Sequence, residues 1–167
     1  MSLLENAKGS LNYAINMAMN PLDKAISIIP DNKLDWKPAE RTMTASELAI
    51  HVYQCALIYA MGTLNGKFSD TDYSLIPFDP KKVRSSTDIL DYGNRVKKAI
   101  REILPKFTEE DMRKDVTYEC WGNIKIRGFE SLSTVLEEVI HHRGQLCLYL
   151  RILGIQPPFI YDHSKLD

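Results

Sequence analysis

The sequence predicts an all-α protein: a four-helix bundle with one long crossover connection and a short β-hairpin before the last helix. Three observations carry this. Four stretches have apolar residues returning every three or four positions. Their ends are punctuated by caps and by Gly or Pro. One short stretch, between Val116 and Arg127, instead alternates with a period of two. At 167 residues the chain reads as a single domain over 1–167, long enough to bury one sizeable core.

The first helix is expected from about Leu3 to Ile29, with Leu4, Leu11, Ile15, Leu22 and Ile26 on one face. Asn20-Pro21 should kink or divide it, because proline removes a hydrogen bond and crowds the preceding turn. The second begins at a capping box, Thr44-Ala45-Ser46-Glu47, carries Leu48, Val52, Cys55, Ala56 and Tyr59, and stops near Asn65-Gly66. Lys67 to Lys82 reads as a long surface loop. A third helix follows Ser85-Ser86-Thr87-Asp88 and uses Ile89, Leu90, Tyr92, Val96 and Ile100 until Pro105. In the hairpin, Val116, Tyr118 and Cys120 alternate with polar residues, as do Ile124 and Ile126, and Gly122-Asn123 supplies the turn. A two-stranded ribbon is marginal alone and should lie against the bundle. The last helix runs from about Ser131 to Leu153, closed by Gly154 and Pro157-Pro158.

Composition removes several function classes. Lys+Arg (21) and Asp+Glu (22) nearly cancel to a net charge of -1, so a nucleic-acid partner is not expected. The pairs Lys81-Lys82 and Lys97-Lys98 read as solvated helix faces. No apolar run approaches the ~20 residues that span a bilayer, and the first residues do not read as a signal peptide. The three cysteines, Cys55, Cys120 and Cys147, form no Cys-x-x-Cys pair, and Cys55 and Cys147 sit on apolar helix faces as small hydrophobes. A cytoplasmic, reduced protein is expected, without membrane association.

The chemistry-bearing residues are His51 and the phrase Glu138-Val-Ile-His-His142-Arg-Gly-Gln145. At about 100° per residue, His142 lies roughly 80° from the centre of the last helix's apolar stripe, while His141 lies roughly opposite it. Glu138 is one turn before His142, a spacing that lets both grip one ion. His51 lies roughly 80° off its own stripe, so all three are expected at helix seams. Two histidines and a carboxylate bind a divalent metal with positions left open. The same residues also read as a polar seam, with Glu138 and His142 an ordinary i,i+4 pair.

Two motifs resemble the DinB/YfiT-like superfamily of four-helix bundles. One is Trp36-Lys37-Pro38 followed by Arg41-Thr-Met-Thr44-Ala-Ser-Glu47-Leu-Ala-Ile-His51; the other is His142-Arg143-Gly144-Gln145. The resemblance implies a divalent metal (nickel, zinc, iron or manganese) held by His51, His142 and a third histidine, at whose position this chain has Glu138. It further implies a metal-dependent enzyme for a small-molecule substrate, a hydrolase or a thiol-S-transferase using a low-molecular-weight thiol. The alternative is a non-catalytic, stress-related binding bundle with a degenerate site. Gln145 is expected to orient a ligating imidazole, and Arg143 to make a structural salt bridge. Trp36 and Trp121 read as pocket walls or core. Apolar residues on polar faces, including Leu148 and Ile152, point to a homodimer.

Overall fold

A computed structural model describes residues 2–69 and 76–166, without the side chain of Cys120, whose place in the alternating pattern therefore lies outside the described structure. Helix α1 (Leu3–Tyr13) passes through a π-helical turn (Ala14–Ala18) into α2 (Met19–Ser27). Then come α3 (Ala45–Asn65), α4 (Ser86–Ile103), the short α5 (Glu109–Arg113) and α6 (Gly128–Ile152). The α1–α2 arm packs on α6, α6 on α3, α3 on α4, and α4 returns to α2. Their apolar stripes meet in one core that includes Leu11, Ile15, Leu22, Tyr53, Ile100 and Leu132.

The caps work as the sequence requires. Thr44 Oγ1 accepts from Glu47 N at 3.1 Å while Glu47 Oε2 accepts from Thr44 N at 2.8 Å. At the other end of α3, Gly66 adopts the left-handed conformation (φ 77°) that stops helices.

Pro21 does not break the helix where it stands. The irregularity lies one turn earlier, in the π segment, because a proline perturbs the residues that precede it. Pro21 has no N–H for the Met17 carbonyl, and that oxygen accepts from His163 Nδ1 at 3.0 Å. Asn20 Nδ2 donates to the His163 carbonyl, so the C-terminal segment is strapped over this turn.

Other boundaries are corrected. The expected loop after α3 opens as a strand, β1 (Lys67–Phe68), and includes a 3-10 turn at Pro80–Lys82; its residues 70–75 lie outside the described part. The hairpin is β2 (Asp115–Tyr118) and β3 (Ile124–Arg127), antiparallel, with β1 added parallel to β2. The third strand gives the ribbon the extra pairing it needs. Gly122 and Asn123 both take positive φ at the turn. Helix α6 starts three residues earlier than periodicity indicates, with Glu130 Oε2 accepting from Arg127 N. Lys97 is not solvated: it is 6% exposed and ion-paired with Asp23, which is 5% exposed, although Lys98 is exposed as expected. Among the described residues no helix is long and apolar enough to cross a membrane.

Candidate metal centre

The α3–α6 seam carries polar side chains along one edge of each helix. On α3 they come every fourth residue: His51, Cys55, Tyr59 and Thr63. On α6 they are Ser131, Glu138 and His142. At the lower end, Thr63 Oγ1 donates to Ser131 Oγ at 2.6 Å, and Tyr118 Oη and Ser131 Oγ are hydrogen-bonded. At the upper end the donors converge. Ligand atoms of His51, Cys55 and Glu138 all lie within 4.8 Å of one another. The rings of His51 and His142 meet edge to face at 4.8 Å.

Hydrogen bonds define the state of each group. His142 Nε2 is 2.9 Å from Glu138 Oε2, and His142 Nδ1 is 2.8 Å from Gln145 Oε1. The Glu138 carboxylate is an acceptor, so His142 Nε2 donates to it. Its pKa is raised, first by the hydrogen bond to Glu138 and further by Gln145, against the cost of burial. Glu138 is lowered by the reciprocal bond from His142. His51 is lowered, by burial and then by the His142 charge, which favours its neutral form. Its Nε2 lies 3.3 Å from Cys55 Sγ. Burial, followed by the nearby Glu138 charge, pushes the Cys55 thiol and the Tyr59 phenol well up, so both stay protonated.

The structure therefore brings together His51, Glu138 and His142, with Gln145 on the far nitrogen of His142. His141 is exposed, as helical phase requires, and accepts from Gln145 Nε2 at 3.1 Å. Cys55 is the residue the sequence reading missed. Periodicity places it on the apolar face, and it is 3% exposed, but its sulfur lies among the donors. The available signal was its i,i+4 spacing from His51, which mirrors Glu138 and His142. Arg143 is buried and takes a structural role: it donates to a backbone carbonyl, that of Ala18 at 3.3 Å, rather than to a carboxylate among the described residues.

Beside His51 opens a cleft of about 550 Å³, whose walls include Arg41, Met43, Glu47, Ile50 and Gln54. The loop before α3 shapes it: Ala45 N donates to the Trp36 carbonyl at 2.9 Å, and Tyr149 Oη donates to the Met43 carbonyl at 3.2 Å. Neither tryptophan lines this cleft. Trp36 stands edge-on to Tyr149, and Trp121 stacks on Tyr118.

Residues 6–167 match the sequence profile of the DinB family. The chain belongs to the DinB family. YjoA of Bacillus subtilis, an uncharacterized protein, is 28% identical to it over 126 residues, 75% of this chain and 77% of the relative. The crystal structure of that DinB-like protein superimposes with a TM-score of 0.69 at 22% identity, covering 93% of this chain and 99% of the other. A DinB-like protein from Bacillus cereus gives 0.66 at 21% identity, with 94% and 97% covered. YfiT of Bacillus subtilis, described as a probable metal-dependent hydrolase with an unusual four-helix bundle topology, gives 0.64 at 12% identity, with 92% and 89% covered. At these identities the structures establish a shared DinB fold, and the donors of the α3–α6 seam are this DinB chain's own.

Proposed function

We propose that this DinB protein is a divalent-metal-dependent hydrolase for a small molecule, with His51, Glu138 and His142 as ligands and Cys55 as an adjoining donor. The observation that carries the reading is the convergence of nitrogen, oxygen and sulfur donors from two helices beside a cleft. Metal–ligand bonds of about 2.0–2.3 Å set donors about 3–4 Å apart. Donor atoms of His51, Cys55 and Glu138 lie within 4.8 Å of one another, and His142 Nε2 lies 2.9 Å from Glu138 Oε2, so the set would have to draw in around an ion. The mixed set suits zinc, nickel, iron or manganese; the carboxylate favours the harder ions, and the thiol, once ionised, zinc.

Bound there, the ion would supply Lewis acidity, acidifying a water and polarising an electrophile. The chain's own groups do the remaining work. Gln145 accepts from Nδ1–H of His142 and so directs Nε2 toward the seam. His51 offers a neutral nitrogen without prior proton loss. Glu138 holds a negative charge between the two imidazoles. Arg41, on the cleft wall, offers a cation to an anionic substrate group. Hydrolysis is preferred to transfer from a low-molecular-weight thiol because YfiT, with the same fold, is described as a probable hydrolase.

One observation favours a second reading, a non-catalytic bundle: Glu138 and His142 already satisfy each other at 2.9 Å, and the polar seam continues to Thr63 and Ser131. Metal content separates the two. Protein incubated with each of the four ions and then desalted should retain stoichiometric metal in the wild type and in His141→Ala, and lose it in folded His51→Ala. A wild type that stays metal-free with all four ions refutes the enzyme reading.

A further inference from the structure

We propose that the groove between the α1–α2 arm and α4 is a second ligand site, which takes a small monocarboxylate with a short apolar chain. Each wall of this groove carries a polar ladder. On the α1–α2 arm the rungs are Asn16, Asn20 and Asp23, and on α4 they are Asn94, Lys97 and Arg101, all at helical spacing. Two rungs cross from helix to helix: Lys97 Nζ donates to Asp23 Oδ2 at 2.5 Å, and Arg101 Nε to Asn16 Oδ1 at 2.9 Å. Both ladders line one cavity of about 410 Å³, whose walls also include Leu90, Lys165 and Leu166.

The cross-links leave donors over. An ammonium carries three N–H groups, and among the described residues Lys97 spends one, on Asp23, although it is only 6% exposed. A buried charged donor without an acceptor is costly, so the other two call for acceptors from within the cavity. Arg101 lies one helical turn on, on the same face of α4. It spends only Nε, and among the described residues it forms no ion pair. Its terminal N–H groups form the planar fork that matches a carboxylate. Charge sets the valence of the ligand. Asp23 is balanced by Lys97, and Asp91 by Lys165, which leaves Arg101. One uncompensated positive charge suits a monoanion. A phosphate ester, at about −1.5 to −2 near neutral pH, would add repulsion from Asp23 and Asp91. Leu90 lies two turns before Lys97 on the same face, roughly 10 Å along the helix, and with Leu166 it offers an apolar wall to a short alkyl chain. The groove shares no residue with the cleft beside His51, so the inference stands independently of the metal reading.

Titration of hexanoate into the isotope-labelled full chain, with backbone amides followed by heteronuclear NMR, tests it. Saturable shifts are expected around Asn16–Asp23 and Asn94–Arg101, with a dissociation constant of about 1 mM, within reach of one anchored charge and a short chain. Acetate, which lacks the chain, should bind about tenfold more weakly, and inorganic phosphate should not produce these shifts. Arg101→Gln changes an exposed residue, leaves the Lys97–Asp23 pair in place, and should weaken hexanoate about tenfold. Lys98→Gln removes an exposed lysine outside the groove and should leave binding unchanged. No saturable shift up to about 20 mM hexanoate overturns the proposal. So does phosphate or acetate binding as tightly as hexanoate, binding that Arg101→Gln leaves unmoved, or equal weakening by Arg101→Gln and Lys98→Gln.

Discussion

Replacing Lys97 with methionine tests the buried charge pair that ties α2 to α4. Lys97 Nζ lies 2.5 Å from Asp23 Oδ2, and Tyr53 Oη donates to Asp23 Oδ1 at 2.6 Å. Tyr53 is fully buried, and burial followed by the Asp23 charge pushes its pKa well up, so it remains a donor. Methionine keeps most of the lysine stem, so the substitution isolates the charge. It leaves the Asp23 carboxylate in the core with one neutral hydrogen bond. Removing one partner of such a pair costs about 3–5 kcal/mol. For a chain of this size each kcal/mol shifts Tm by roughly 2–4 °C, so the melting point should fall by about 6–20 °C. Asp23→Leu should cost a similar amount by stranding the ammonium. The double variant Asp23→Leu with Lys97→Met strands no charge and leaves only the Tyr53 hydroxyl without its acceptor, worth about 1–3 kcal/mol. It should therefore be no less stable than either single variant. Thermal and urea unfolding followed by circular dichroism at pH 7 measures all three. A Lys97→Met loss below about 1 kcal/mol, or a double variant whose loss equals the sum of the singles, refutes the reasoning.

Metal affinity should fall with acid in two stages. His142 is held above its ordinary value of 6.5 and His51 below it, so as pH falls the first competing proton is taken by His142 while His51 is still neutral. Apparent affinity should then drop about tenfold, or 1.4 kcal/mol, per pH unit, steepening to a two-proton slope only below 6.5; competitive chelator titrations that show two protons from the outset would contradict the assignment. Gly93→Ala should destabilise the fold by about 1–3 kcal/mol, although alanine normally favours a helix interior over glycine, because its Cβ would stand 2.3 Å from the Tyr53 ring that Asp23 holds in place. An unchanged urea midpoint would show that the ring moves freely.

The bundle was legible because its helices bury one stripe each and advertise their ends: Thr44 and Glu47 cap α3 as written, and Gly66 stops it. Helical phase correctly put His51 and His142 at the seam and His141 in solvent, since phase depends only on the helix being regular. What was not legible depends on distant partners. β1 exists because Lys67 and Phe68 find Thr117 and Tyr118, some fifty residues away. Lys97 reads as a surface residue until α2 supplies Asp23. Cys55 reads as apolar because a thiol looks the same to periodicity whether it packs on leucine or faces an imidazole and a carboxylate.

Glu138 is where these effects meet. It accepts from His142, adds its charge to the burial that keeps the Cys55 thiol protonated, and opposes the burial that lowers His51. An imidazole at 138 would put a third nitrogen ligand in the seam but no anion, leaving His142 without its charged acceptor. Glutamate reverses the balance: it brings a charged ligand, and it also gives the metal-free seam a satisfied ground state that any ion must displace. Metal must expel the Nε2 proton of His142 and break a hydrogen bond to an ionised group, a class of interaction worth about 1.5–3 kcal/mol. In the proposed metal site the same carboxylate would be both ligand and competitor. Its net effect on affinity turns on whether its attraction for a divalent cation exceeds its hold on one proton, and rising pH, which removes that proton, moves the balance toward the metal.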